Sequence, residues 1–389
     1  MNNFLKIILL FIIGITVVSC SKSDSNTQPL RDFEVQKVKD MTNIETFMHT
    51  HYMTVISNPG ATEDQDVTFT LIPTGGTQVS IWDQTTYPIK TRMVKVRQNN
   101  VDVDYKIYYL ELRQGSGTNS KSPCNVDRVL TAYKGEYIYD SVVTVGTTET
   151  HTIISKEFET LMNPQTYFSL TGVIRGWSEI FPQFKTGSYV GNPDGTVSFS
   201  DFGAGVMFIP SGLAYYSSSQ GGIPAYSPLI FNFKLFEIQR VDHDSDGIYS
   251  YQEDLGTSVV NNDGTVTITN GVPDGYVNSL PEGVENPDNT NEPGSAVLLS
   301  TNPNKYSEED EVPDFLDTDD DGDYFTTKSE TSFVHPNDVL QTVRYYPYNG
   351  ATVDNPLTPY VDESKGVPSC SNDFTSPTRI RKYLDTSCH

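Results

Sequence analysis

Hydrophobic positions change their spacing several times along this chain. A largely apolar run from Ile7 to Val18 follows Lys6 and is closed by Ser19 and Cys20. That run is too short for a permanent membrane span and has the layout of an export signal. From 30 to 57, Val38, Met41, Ile44, Phe47, Met48 and Tyr52 recur at steps of mostly three and four, which predicts helix. Thr42 and Glu45 form a T-x-x-E box at which a second helix could begin. Such a helical pair could pack on the next domain or on a second copy of the chain. Residues 58–104 contain strand-like pieces rich in Thr, Val and Gly.

From Tyr105 the pattern is strongly β. YKIYYLELRQGSG, RVLTAYKGEYIYD, VMFIPSGLAYY and PLIFNFKLFEI predict strands, and GVIRGWSEIFPQF is the one short helix among them. TGSYVGNPDGTVSFSDFGA predicts a small hairpin about its Asn-Pro-Asp-Gly turn. The fold class expected is α+β, an antiparallel sheet wrapped around a short helix, with an N-terminal helical segment and an irregular extension. The divisions that follow are a signal at 1–20, a tether, helical segment and β-prone region at 21–104, the α+β domain at 105–240, an acidic extension at 241–340 and a tail at 341–389.

A net charge of −24 over 389 residues argues against nucleic acid, because phosphate contacts need Lys and Arg. The acid is concentrated in 241–340, where Lys305 and Lys328 are the sole Lys or Arg residues. Such a run is a solvated face unless its carboxylates fall at ligand spacing. In DHDSDGIYSYQE they do. Asp242, Asp244 and Asp246 stand at positions 1, 3 and 5 of a twelve-residue calcium loop, Gly247 at 6, Ile248 offers its carbonyl, Ser250 is at 9 and Glu253 at 12. DTDDDGDYFTTKSE is less regular. Placing Asp319, Asp321 and Asp323 at 1, 3 and 5 puts Glu330 at 12 but Tyr324 in the glycine position. The other register keeps Gly322 and leaves Lys328 at 12, and loss of the bidentate carboxylate is the heavier defect. The first loop, entered from the strand-like FKLFEIQRV, looks like the aspartate-rich calcium repeats of extracellular proteins. Structural calcium is therefore the expected ion, with no cofactor for catalysis. Of the remaining cysteines, Cys370 and Cys388 are the preferred disulfide, and no C-x-x-C occurs.

Two resemblances add to this reading. The segment ending in Val17-Val18-Ser19-Cys20 resembles the lipobox of bacterial lipoproteins. That likeness implies a lipidated (palmitate-bearing) Cys20, a membrane anchor and a cell-envelope location, in the outer membrane and facing periplasm or cell surface. In chain order, AYKGEYIYD, FSLTGVIRGW, FIPSGLAYY and GGIPAYSPLIFNFKLFEI resemble the FKBP-type peptidyl-prolyl cis-trans isomerases over roughly 105–240. The resemblance implies a prolyl isomerase acting on exported polypeptides. It also implies a pocket of Tyr133, Tyr139, Asp140, Phe168, Val173, Ile174, Trp177, Tyr215, Ile223 and Phe231, with Trp177 as the floor under the proline ring. Ile174 N–H and the Tyr215 hydroxyl would meet the flanking carbonyls. Asp140 would polarise the site or serve structurally beside Tyr133. Departures are a short span between Gly135 and Asp140, Tyr139 in place of Phe, Tyr216 where glycine is usual, and the 186–204 insertion. The alternatives are a non-catalytic proline-peptide-binding or chaperone lipoprotein, and a structural envelope protein organised by calcium. A homodimer through the N-terminal helices is a further expectation.

Overall fold

The computed structural model describes residues 29–98, 101–118, 120–251, 258–260, 266–268, 316, 318–319, 324–334, 340–346, 366–373, 381–385 and 387–388. Cys20 lies outside them. From Phe33 onward the described residues form one compact unit. No helix among the described residues is long and apolar enough to cross a membrane.

The first element is α1 (Phe33–Thr50), followed directly by β1 (His51–Val55) and β2 (Val67–Leu71), an antiparallel pair. The expected second helix does not form. Thr42 lies inside α1 with its hydroxyl donating to the Val38 carbonyl, so the T-x-x-E box caps nothing. Helix period gives way to strand at His51, because Ile44, Phe47 and Met48 already complete the buried face of α1.

The main sheet is built from β3 (Ile89–Gln98), β4 (Val101–Arg113), β5 (Arg128–Val145), β6 (Thr148–Leu161) and the two-residue β7 (Phe168–Ser169). After these come α2 (Arg175–Ile180), a small hairpin of β8 (Ser188–Gly191) and β9 (Val197–Ser200), then β10 (Gly203–Ile209) and β11 (Leu229–Gln239). Strand order is β3-β4-β10-β11-β5-β6, all antiparallel, with β7 on the start of β5. This is the α+β class expected, the sheet wrapping α2. The expected boundary at 105 falls inside β4, and β3 lies before it; the sheet therefore takes in part of the segment set aside as a separate region.

Both faces of the sheet are buried, which explains why β10 is buried at every position. Val206, Phe208 and Ile230 face a layer formed with Ile44, Phe47 and Met48 of α1. Met207, Ile209, Phe231 and Phe233 face Trp177, Ile180, Phe181 and Phe184 on the other side. The apolar face of α1 is thus consumed by its own sheet, leaving Val35 and Val38 as its exposed aliphatic residues. Gly176 lies against Ile209, 2.6 Å from where a Cβ would sit. Gly176→Ala is expected to cost about 1–3 kcal/mol by overpacking, checked by chemical denaturation.

The extension adds β12 (Ser258–Val260), β13 (Val266–Ile268), α3 (Thr327–Glu330), β14 (Ser332–Val334) and β15 (Val343–Tyr345), joined as hairpins β12–β13 and β14–β15. Among its described residues, Ile248, Val367 and Tyr383 form a small buried cluster. Cys370 and Cys388 are bonded at 2.06 Å, while Cys124 is buried and forms no disulfide among the described residues.

Candidate functional site

A cavity of about 440 Å³ opens on the α2 side of the sheet. Its walls come from β5 and β11 (Tyr133, Phe231), β6 (Phe158, Glu159), β7 (Phe168), the approach to α2 (Gly172, Val173, Ile174, Arg175), and the loop after β10 (Ala214, Tyr215), with Trp177 from α2. That volume suits a small residue with its flanks. Trp177 is 4% exposed and meets four rings edge-on, with centroids at 5.0 Å (Tyr133), 5.8 Å (Phe168), 5.2 Å (Phe181) and 5.2 Å (Phe231). Its indole N–H is buried with no acceptor among the described residues.

Tyr133, Phe168, Val173, Ile174, Trp177, Tyr215 and Phe231 therefore gather as the resemblance implied. Tyr139, Asp140 and Ile223 do not. Tyr139 packs at the core's edge, 5.5 Å from Tyr137. Asp140 sits out on the β5–β6 hairpin, paired with Ile153 in register, and its Oδ2 is 2.7 Å from His151 Nδ1. Ile223 is buried in the core beneath a bridge with Gln220, away from the cavity lining. No residue of 186–204 lines the cavity.

The place expected for Tyr139 and Asp140 is taken by Phe158 and Glu159. The span after Gly135 is not short. β5 runs on to Val145, turns, and β6 returns to set Glu159 opposite Gly135. Phe158 lies over Gly135, with its ring 2.4 Å from where a Cβ would be. The glycine of Tyr-x-Gly is thus space for an aromatic wall. The Tyr133 hydroxyl donates to Glu159, and burial first, then that carboxylate, pushes its ionisation well above the ordinary tyrosine range. Burial, with the charge of Glu159 adding to it, likewise raises Tyr215. Sequence reasoning missed this pair because it took the first aromatic–acid dipeptide after Gly135. The usable signal was the nearness of Phe158-Glu159 to Phe168.

Ile174 precedes α2 in extended conformation, and its carbonyl accepts from Trp177 N–H. Its own N–H has no hydrogen-bond acceptor among the described residues. Arg175 at the rim is held by Glu179 (2.5 Å), itself fully buried and also bound by Arg92 at 3.2 Å.

A second cluster lies in the extension. One oxygen each from Asp242, Asp244 and Asp246 falls within 4.8 Å of the others. Asp242 accepts from Ser245 N–H at 2.7 Å and Gly247 N–H at 3.2 Å, and Gly247 has φ +107°. Asp246 is 2% exposed, and the Oδ2 atoms of Asp244 and Asp246 are buried without a donor among the described residues. Burial and then mutual repulsion push Asp244 up to about 8. Asp246 rises to about 6, mainly through burial. Three crowded carboxylates of this kind fit a hard divalent cation. Ile248 anchors the loop by packing on Val367 and Tyr383. The Ser250 hydroxyl lies 2.8 Å from His243 Nδ1.

One hydrogen bond of the first loop recurs among the described residues of the second. Tyr324 N–H donates to Asp319 Oδ2 at 2.9 Å, as Gly247 does to Asp242, and Tyr324 has φ +74°. The tyrosine therefore adopts the conformation for which glycine is usual, in the register that starts at Asp319. Glu330, at position 12 of that register, is 5% exposed. Lys328 Nζ donates to the Ser245 carbonyl at 3.1 Å and links the two loops. Glu253, Asp321 and Asp323 lie outside the described residues.

Residues 243–360, beginning just beyond β11, match a protein family described as BamM C-terminal. No curated protein matches the chain. Among solved structures, it is similar to a peptidyl-prolyl cis-trans isomerase from Pseudomonas syringae pv. tomato, at 18% identity, 54% coverage of this chain and 98% of that one, with a TM-score of 0.27. It is also similar to FkpA from Escherichia coli, at 26% identity, 34% coverage of this chain and 48% of that one, with a TM-score of 0.23.

Proposed function

We propose that this chain is a peptidyl-prolyl cis-trans isomerase of the cell envelope, acting on X–Pro bonds of exported polypeptides. The observation that carries the reading is the Trp177-floored cavity, built from motif residues in chain order. An X–Pro amide is held planar by resonance and interconverts over roughly tens to hundreds of seconds. The planar form is the more charge-separated one, so transfer into an aromatic pocket disfavours it relative to the twisted form. Trp177 would carry the proline ring, Ile174 N–H and the Tyr215 hydroxyl would hold the neighbouring carbonyls, and Glu159 would fix Tyr133. No nucleophile is required.

The lipobox-like Cys20 supports an anchored, exported protein with its body in water. The match to the BamM C-terminal family supports treating the extension as a module distinct from the isomerase body. Within it, Asp242, Asp244, Asp246 and Glu253 would hold one structural calcium. Asp319, Asp321, Asp323 and Glu330 would hold a second. The ion would neutralise crowded carboxylates and stiffen the extension.

The test is a proline-isomerisation assay on the chain without its first twenty residues. Glu159→Gln is expected to lower kcat/KM about tenfold, corresponding to about 1.4 kcal/mol of transition-state stabilisation. Asp140→Asn is expected to leave it unchanged. Absence of wild-type catalysis on several X–Pro peptides, with peptide binding retained, would replace the enzyme by a proline-binding module.

A further inference from the structure

The N-terminal half of α1 carries a polar stripe, Gln36 and Asp40, on the face whose continuation is Ile44, Phe47 and Met48. Both polar residues are buried, Asp40 completely. Burying a carboxylate is costly unless its oxygens are engaged. Asp40 Oδ2 accepts from Ser211 N–H at 2.8 Å and from the Ser211 hydroxyl at 2.6 Å, while Oδ1 accepts from Gln36 Nε2 at 2.6 Å. Ser211 opens the loop that supplies Ala214 and Tyr215 to the cavity. Its carbonyl accepts from Ala214 and Tyr216 N–H, so fixing Ser211 fixes the turn.

Two further contacts tie the same helix to the same loop. Tyr216 has φ +47°, a conformation strained for a side chain of its size, and its ring stacks on Phe33 with centroids 4.6 Å apart. Gln36 also reaches the Tyr226 carbonyl at 3.4 Å, and Tyr226 N–H donates to the Tyr216 carbonyl at 2.6 Å. Phe33, Gln36 and Asp40 are one helical face.

We propose that α1 is a clamp on the Tyr215 wall of the cavity, and that Asp40 is the positioning residue through which the helix holds that wall in place for an incoming proline. The inference rests on reading the cavity as a proline site. Charged and titratable groups around Asp40 are Lys39 on α1, Tyr105 on β4 and, through Tyr105, Tyr216 and Glu34. Burial raises Asp40 from 3.8 to about 6, against its hydrogen bonds from Ser211 and Gln36. Acidification through this range has two effects of opposite sign. The fold gains stability, because the folded state takes up the proton first; that contribution is complete below 3.8 and lost as pH rises through about 6. The clamp weakens, because Ser211 loses a charged acceptor.

Amide hydrogen exchange on the full chain, corrected for intrinsic rates, separates the two. Asp40→Asn at pH 7 is expected to speed exchange across 211–217 at least threefold, leaving β10 and β11 unchanged, and to lower kcat/KM at least threefold. Wild type should show the same loosening between pH 7 and pH 5, and the variant should not. Ser211→Ala, which keeps the carboxylate, should loosen the same residues to a smaller extent. A smaller rise than threefold, a rise spread evenly over the sheet, or a loosened loop with unchanged kcat/KM overturns the clamp. A loosened loop in a chain whose wild type does not isomerise proline leaves the clamp standing and removes the enzyme reading instead.

Discussion

Trp177→Leu is expected to lower kcat/KM for X–Pro isomerisation by about 10- to 100-fold while the chain stays folded. The indole is both core and floor, since it is 4% exposed yet lines the cavity. Alanine would confuse the two roles, because Trp→Ala in a core costs about 3–5 kcal/mol in stability alone. Leucine keeps most of the apolar fill. What it removes is a flat surface and the edge-on contacts with Tyr133, Phe168, Phe181 and Phe231, worth about 0.5–1.5 kcal/mol each. A loss of about 1.4–2.8 kcal/mol at the transition state gives the expected range. Thermal melting and steady-state kinetics measured on the same sample decide it. Wild-type kcat/KM in a folded Trp177→Leu protein would mean that the proline does not lie on this ring.

The second large effect is expected in the acidic extension. Adding calcium at about one hundred times its dissociation constant should stabilise the loaded unit by about 2.7 kcal/mol, and chelator should remove that gain. Asp246→Asn gives a sharper signature. Without calcium the variant should melt above wild type, because one of three crowded carboxylates, the buried one, is gone. With calcium it should melt below wild type, because a ligand is gone. Calorimetry in calcium and in chelator reads both arms, and parallel curves for the two proteins would reduce the cluster to acidic surface.

Much of the site was readable from residues contiguous in the chain. Val173, Ile174 and Trp177 are placed by the start of one short helix, and Tyr215 by the turn that follows β10. The loops proposed for calcium were equally local, since one twelve-residue segment would supply all of its own ligands. The second register was also chosen on chemistry, and Tyr324 accepts glycine's conformation there. The N-terminal segment was less legible. A T-x-x-E box caps a helix only when its Thr is the residue that leaves helical geometry, and here α1 continues straight through Thr42.

The identity of the aromatic–acid pair beside Tyr133 could not be read from spacing. Tyr139-Asp140 and Phe158-Glu159 satisfy the same local pattern. What selects between them is the length of the β5–β6 hairpin, which carries the first pair outward and returns the second to Gly135. The same holds for Asp40, whose importance depends on Ser211, far along the chain. By itself, then, the sequence determined the α+β class, the pocket floor and the carboxylate loops, because each depends on residues close along the chain. The tertiary structure decided the wall opposite Tyr133 and the helix that holds the Tyr215 loop. Strand register and helix docking join residues that no local spacing relates.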